Sequence, residues 1–252
     1  MNEDPRQLPG DDETLDDLAA GLRVLQRRRG HRSATDDLLA ASCAAGARPG
    51  ASSVLDLGCG HGTVTLLLSG MLPMARFTSV EVQELSHGLL CRNVLINDLG
   101  QRVTPLLSDL RTLQLPERFD LVTGTPPFMP LGSGILPKDP QRAAGRFELR
   151  GGIEDYLEAA ARHLAPAGRV SMLMDAAQDD RCRRAFDAAG LHLHQVRVFD
   201  PRPGRVPRYR GYVGGLEPRE GPVLEERLLV RDEDGAFTQD MLALRREVGV
   251  PT

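Results

Sequence analysis

In the stretch "VLDLGCGHGTV", Asp56 is followed by Gly58, Cys59, Gly60 and Gly62, and the run stands where an apolar segment hands over to a helical one. Glycines at a strand-to-helix turn let a ligand approach the backbone and leave the first helical amides free to bond it. Dinucleotide sites use similar glycines, so the glycines alone do not name the ligand. Asp56 narrows the choice. A carboxylate just before the loop would repel a pyrophosphate, whereas it suits a ligand carrying an ammonium and a sulfonium. Two more acids close apolar runs. Glu81 ends "SVEV" roughly twenty residues past the loop, where an acid accepts hydrogen bonds from both hydroxyls of a ribose. Asp109 ends "LLSD" and belongs to the same rim.

These residues need a scaffold that brings strand ends together. From "SVLDLG" onward, apolar strands alternate with helical segments through "RFTSVEV", "RVTPLLSD", "RFDLVTG", "RVSMLMD" and "LHLHQVRVF". Such repetition argues for an α/β domain with a mostly parallel sheet covered on both faces and a ligand at the strands' C-terminal ends. The late "EERLLVRDEDGAF" reads as one more strand, returning antiparallel at the edge. "SATDDLLAASCAAG" is a helix with Ser33 or Thr35 as N-cap and Gly46 as its stop. Before it, Leu15, Leu18, Leu22 and Leu25 keep helical spacing, although "LRVLQ" is equally compatible with a short strand. Residues 1–14 are acidic and proline-containing and are expected to be a frayed tail.

The chain of 252 residues has a formal charge of -4, which argues against indiscriminate coating of nucleic acid or membrane and leaves room for a local basic patch. Cys43, Cys59, Cys91 and Cys182 form no CxxC pair, so neither a zinc site nor a disulfide framework is suggested. No signal peptide or membrane span is expected, and a cytoplasmic protein fits best. His192 and His194 alternate on a strand without a third ligand nearby in the pattern, which favours surface over metal.

With three acids at three strand ends, the chain from about Ser33 to Leu173 resembles the class I S-adenosylmethionine-dependent methyltransferases. The resemblance implies a Rossmann-like seven-stranded sheet in one domain over residues 15–252, with a short N-terminal extension. It implies S-adenosyl-L-methionine as cofactor and no metal. Asp56 and the backbone of Gly58, Cys59, Gly60 and Gly62 would hold the methionine end, Glu81 the ribose diol and Asp109 the adenine amino group. The plainer alternative is that Asp56 or Asp109 merely caps a turn or helix.

"TGTPPF" adds a corner, since two adjacent prolines cannot continue a helix or a central strand. In the amino-methylating branch of that family the fourth strand ends in Asn-Pro-Pro and an aromatic residue. Thr125, Pro126, Pro127 and Phe128 stand at that place and are the catalytic candidates. An exocyclic or amide nitrogen is a poor nucleophile, so acceptors must hold its hydrogens and a ring must hold its plane. Thr125 departs from the pattern, offering a hydroxyl on a shorter arm than Asn.

The flanks "LQRRRGHRSATDDLLAA", "GRFELRGGIEDYLEAAARHLAPAGRV" and "ERLLVRDEDGAFTQD" look like the bacterial tRNA adenine-N6 methyltransferases that modify the position beside the anticodon. That likeness places Thr35 and Asp36 against the methionine end and Arg146 after the substrate loop, although a helix cap explains "SATDD" equally well. In "RVFDPRPGRVPRYRGY", Arg205 and Arg208 are substrate-binding candidates that could follow a phosphate backbone, with a solvated loop as the alternative. RNA, as a tRNA, is the first-choice partner. A protein glutamine or a small metabolite shares the corner's logic, and a non-catalytic cofactor-binding module is the reading from another class.

Overall fold

The computed structural model describes residues 7–251. It opens with a hairpin of β1 (Glu13–Ala19) and β2 (Leu22–Arg27), not with the helix that the leucine spacing allowed. The chain turns at Ala20 and Gly21, and Leu15 faces Leu25 across the pair. Leu25 packs with Leu89 and Ile96, while Val24, Leu18 and Leu22 join the main core. Both faces of the hairpin are therefore covered, which erases the simple alternation that marks a strand. β1 begins inside the stretch expected as a tail, and residues 1–6 of that stretch lie outside the described residues.

The remaining elements in order are α1 (Thr35–Ala47), β3 (Ser53–Leu57), α2 (Thr63–Met71), β4 (Arg76–Glu81), α3 (Glu84–Ile96), β5 (Val103–Leu107) and β6 (Phe119–Gly124). They continue with α4 (Pro140–Arg146), α5 (Ile153–His163), β7 (Leu164–Asp175), α6 (Asp179–Ala188), β8 (His192–Asp200), β9 (Tyr209–Gly215), β10 (Leu224–Leu229) and α7 (Gln239–Val248). Neither expected residue caps α1. Ala34 holds that place, and its N–H is taken up by the Asp37 carboxylate at 2.8 Å.

The main sheet has eight strands, one more than expected, in the order β10-β8-β9-β7-β6-β3-β4-β5. The additional strand is β9, which lies in the segment read from sequence as an extended arginine-rich stretch. It runs antiparallel between β7 and β8, and all other pairings in this sheet are parallel. Three glycines hide it. At Gly214 a Cβ would lie 2.4 Å from the His192 carbonyl oxygen and 2.7 Å from the Phe186 ring, so the close approach of neighbours excludes any side chain. β10 pairs parallel with β8, not antiparallel as expected, because β9 has already returned the chain to the strand's starting end. Residues on alternate faces, such as Val54 and Leu55 or Leu121 and Val122, fill two cores. One lies under α1, α2 and α7, the other under α5 and α6.

Candidate active site

β3 and β6 are hydrogen-bonded neighbours although β4 and β5 intervene in sequence, and Leu57 is paired with Gly124 at their ends. After β3 the chain builds outward to β5; after β6 it builds the other way. A crevice opens at such a reversal, outside the strands' carboxyl ends. The register thus puts the glycine turn and the proline corner side by side. The walls of the cleft there include Asp56, Gly58, Cys59, Gly60, Glu81, Asp109 and all four residues from Thr125 to Phe128. Gly62 stands behind the turn as N-cap of α2.

Each acid is held differently. Asp56 is 1% exposed and accepts the Thr65 hydroxyl at 2.6 Å, which in turn meets Ser79 at 2.8 Å. Burial pushes its acid up to about 7, with the Thr65 bond opposing and the charge of Glu81 adding. Glu81 accepts the Gly60 N–H at 2.9 Å and the Gln83 N–H at 2.7 Å, so it clamps the glycine turn to the end of β4. Burial raises its acid too. Asp109 instead sits below the usual carboxylate range, because Arg111 grips it at 2.6 Å.

Sequence reasoning missed Tyr156 on α5. A Cβ on Gly58 would lie 2.0 Å from the Tyr156 hydroxyl and one on Gly124 2.8 Å from its ring, so this side chain wedges the two loops apart. It missed Asn93 as well, whose amide bonds the carbonyls of Leu25 and His61 and so ties the hairpin to the glycine turn. Asp36 and Asp37 line the cleft, whereas Thr35 is an exposed first residue of α1 and does not. The only signal for Asp37 was its place beside Asp36.

At the corner, the Thr125 hydroxyl is buried and has no hydrogen-bond partner among the described residues. The Phe128 carbonyl accepts the Gln178 amide at 2.6 Å, and its ring leans on Tyr209 with centroids 5.5 Å apart. Beyond that ring lies a second hollow, sharing His31, Asp36, Phe128 and Gly145 with the cleft. Arg28, Arg29, Arg32, Arg142, Arg146 and Arg208 wall it, against the two acids Asp36 and Asp175. Arg208 bonds the Tyr209 hydroxyl at 3.1 Å. Arg205 lies on the exposed turn between β8 and β9 and does not line this groove, while Arg197 and Arg210 are engaged by Glu226 and Asp179.

Residues 37–135 match the family model of the methyltransferase small domain. The chain is 26% identical over 199 residues to a tRNA1(Val) (adenine(37)-N6)-methyltransferase of Tolumonas auensis, covering 79% of this chain and 82% of that one. It is 28% identical over 201 residues, with the same coverage, to the protein of that name from Bacteroides thetaiotaomicron. Its fold superposes on a predicted O-methyltransferase from Agrobacterium tumefaciens with a TM-score of 0.64, at 20% identity, over 86% of this chain and 98% of that chain. This chain carries a methyltransferase small domain on a class I methyltransferase fold. Among the described residues of the methyltransferase, no helix is long and apolar enough to cross a membrane and no three His, Cys, Asp or Glu side chains are grouped to hold a metal ion.

The cleft fits S-adenosylmethionine on observations of its own. A Cβ built on Gly60 would meet no protein atom within 4 Å, so the backbone there faces open space. Burial pushes three cleft carboxyls, Asp37, Asp56 and Glu81, above their ordinary range, and a cationic ligand would favour their charged forms. For Asp56, whose folded value of about 7 exceeds its ordinary 3.8, the proton stabilises the ligand-free fold; that stability is full below about pH 4 and lost as pH rises through about 7. A cationic ligand favours the carboxylate and reverses the trend. Binding of S-adenosylmethionine should therefore release roughly one proton near pH 6 and tighten with rising pH. Calorimetry in buffers of different ionisation enthalpy reads the proton, and Asp56→Asn should remove the share that Asp56 contributes, leaving that of Asp37 and Glu81.

Proposed function

We propose that this methyltransferase acts on the exocyclic amino group of an adenine in tRNA. The observation that carries the reading is the continuity of the acidic cleft, through the Thr125 to Phe128 corner, with an arginine-walled groove. The first hollow suits a cation, the second a phosphate backbone, and a flat ring stands where they meet. The names of its relatives point to the same substrate. tRNA as substrate puts the enzyme in the cytoplasm.

S-adenosylmethionine, when bound, supplies an electrophilic methyl group on a sulfonium. The chain's own residues bind and align. Asp56 and the turn through Gly58, Cys59 and Gly60 hold the methionine end, Glu81 the ribose and Asp109 the adenine of the cofactor. Phe128 stacks on the target base, and the Pro126 carbonyl and Thr125 hydroxyl accept its amino hydrogens. A buried hydroxyl without a partner costs about 1–3 kcal/mol, and an incoming N–H removes that cost. Arg146 and Arg208 hold the phosphates.

With labelled cofactor, methyl groups should enter tRNA and not the protein or small-molecule fractions of the same cell. Arg146→Ala combined with Arg208→Ala should weaken tRNA binding and flatten its dependence on salt by about two counterions, leaving cofactor affinity intact. Label in protein or metabolites would refute the substrate. An unchanged salt slope would refute the groove.

A further inference from the structure

Residues 130–139 follow the proline corner and carry exposed apolar side chains. Ile135 is 96% exposed, Leu131 61% and Leu136 48%. The segment is nonetheless held in place. Met129 donates to the Arg146 carbonyl and accepts from the Glu148 N–H, closing the base at 2.9 and 3.0 Å. Ser133 turns back on the Pro130 carbonyl at 2.7 Å, and Asp139 pairs with Arg27 at 2.8 Å. A Cβ on Gly134 would lie 2.9 Å from the end of Met129 and 3.5 Å from the Phe147 ring, so the middle of the segment is seated on the body. With Gly134 seated, Ile135 projects into solvent.

Its neighbours are mostly cationic, with Asp12 and Asp139 both paired to Arg27. Ile135 and Leu136 share a hollow with Arg27, Arg29, Lys138 and Arg142, and two of these, Arg29 and Arg142, also wall the groove beside the corner. An apolar tip among arginines is what nucleic-acid binders insert between base steps, where the cations take the phosphates and the tip replaces lost stacking. An adenine within a stack must also leave it before its amino group can reach a cleft.

We infer that Ile135, flanked by Leu131 and Leu136, is a wedge that enters the RNA stack and fills the place of the target base. The inference rests on tRNA being the substrate. Its test uses the full chain and an RNA stem-loop with 2-aminopurine in place of the target adenine, a base that brightens on leaving the stack. Wild-type protein should bind and brighten it. Ile135→Ser with Leu131→Ser changes only exposed positions; it should bind within about threefold and lose more than about half of the brightening. Binding without brightening, or brightening unchanged in the variant, overturns the wedge alone. No binding by the wild type overturns the RNA reading and the wedge with it. Sedimentation of the wild type, but not the variant, with phosphatidylserine vesicles would overturn the wedge in favour of a lipid surface.

Discussion

Phe128→Ala is expected to lower methyl transfer by about a hundredfold while leaving S-adenosylmethionine affinity nearly unchanged. Stacking on one base contributes about 1–3 kcal/mol, and a reacting atom displaced by about 1 Å loses a further large factor in rate. The ring also leans on Tyr209, whose hydroxyl is bonded by Arg208, so its removal loosens the wall between cleft and groove. Thr125→Ala should cost less, because it removes a single bond made by a short arm. Thr125→Asn supplies an amide oxygen on a longer arm, the acceptor that the resemblance leads one to expect at this place, and should preserve or raise activity on adenine. Single-turnover rates with tRNA, compared with calorimetric cofactor affinity, check both. Wild-type turnover in Phe128→Ala would mean that the corner is only a bend.

Glu81→Ala should weaken binding of S-adenosylmethionine and of its demethylated product by about 1.5–3 kcal/mol, a factor of roughly ten to a hundred or more. Two losses combine. The carboxylate is the proposed partner of the ribose, and it also accepts the N–H groups of Gly60 and Gln83. Without it the glycine turn still meets the end of β4 through the bond from Cys59 N–H to the Val80 carbonyl, and α3 through the Asn93 amide. Glu81→Gln retains an oxygen for Gly60 and should recover part of the affinity. Equal affinities for wild type and Glu81→Ala would remove Glu81 from the cofactor site.

The cleft was more legible than the frame around it. Asp56, Glu81 and Asp109 stand at strand ends or just beyond them, and the strands that carry them are short apolar runs, so local pattern sufficed to bring them to one rim. Long-range packing has no such local trace. Leu15, Leu18, Leu22 and Leu25 satisfy a helix as readily as a hairpin buried on both sides, and only contact with α3 and the core decides between them. β9 was hidden because Gly211, Gly214 and Gly215 are set by neighbours that crowd in, such as Cys43 against Gly211. Tyr156 reaches the cleft from α5, where it reads as one more apolar position on a helix face. The arginine groove draws its wall from five separate stretches, residues 28–36, 128–129, 142–146, 175 and 208–209, and no short window of sequence contains it.

The position of β9 also dictates an order of assembly. It occupies the place between β7 and β8, so β8 has no partner from the body of the sheet until the chain has passed Tyr209 and come back. In chain order β9 also comes after β3, β4, β5 and β6, the strands that build the cleft. The glycine turn depends on strands made early, but the Tyr209 ring that backs Phe128 arrives with this last insertion. On a ribosome, the nascent chain would complete its cofactor pocket before the face that receives the base, and would hold a methyl donor before it could spend one.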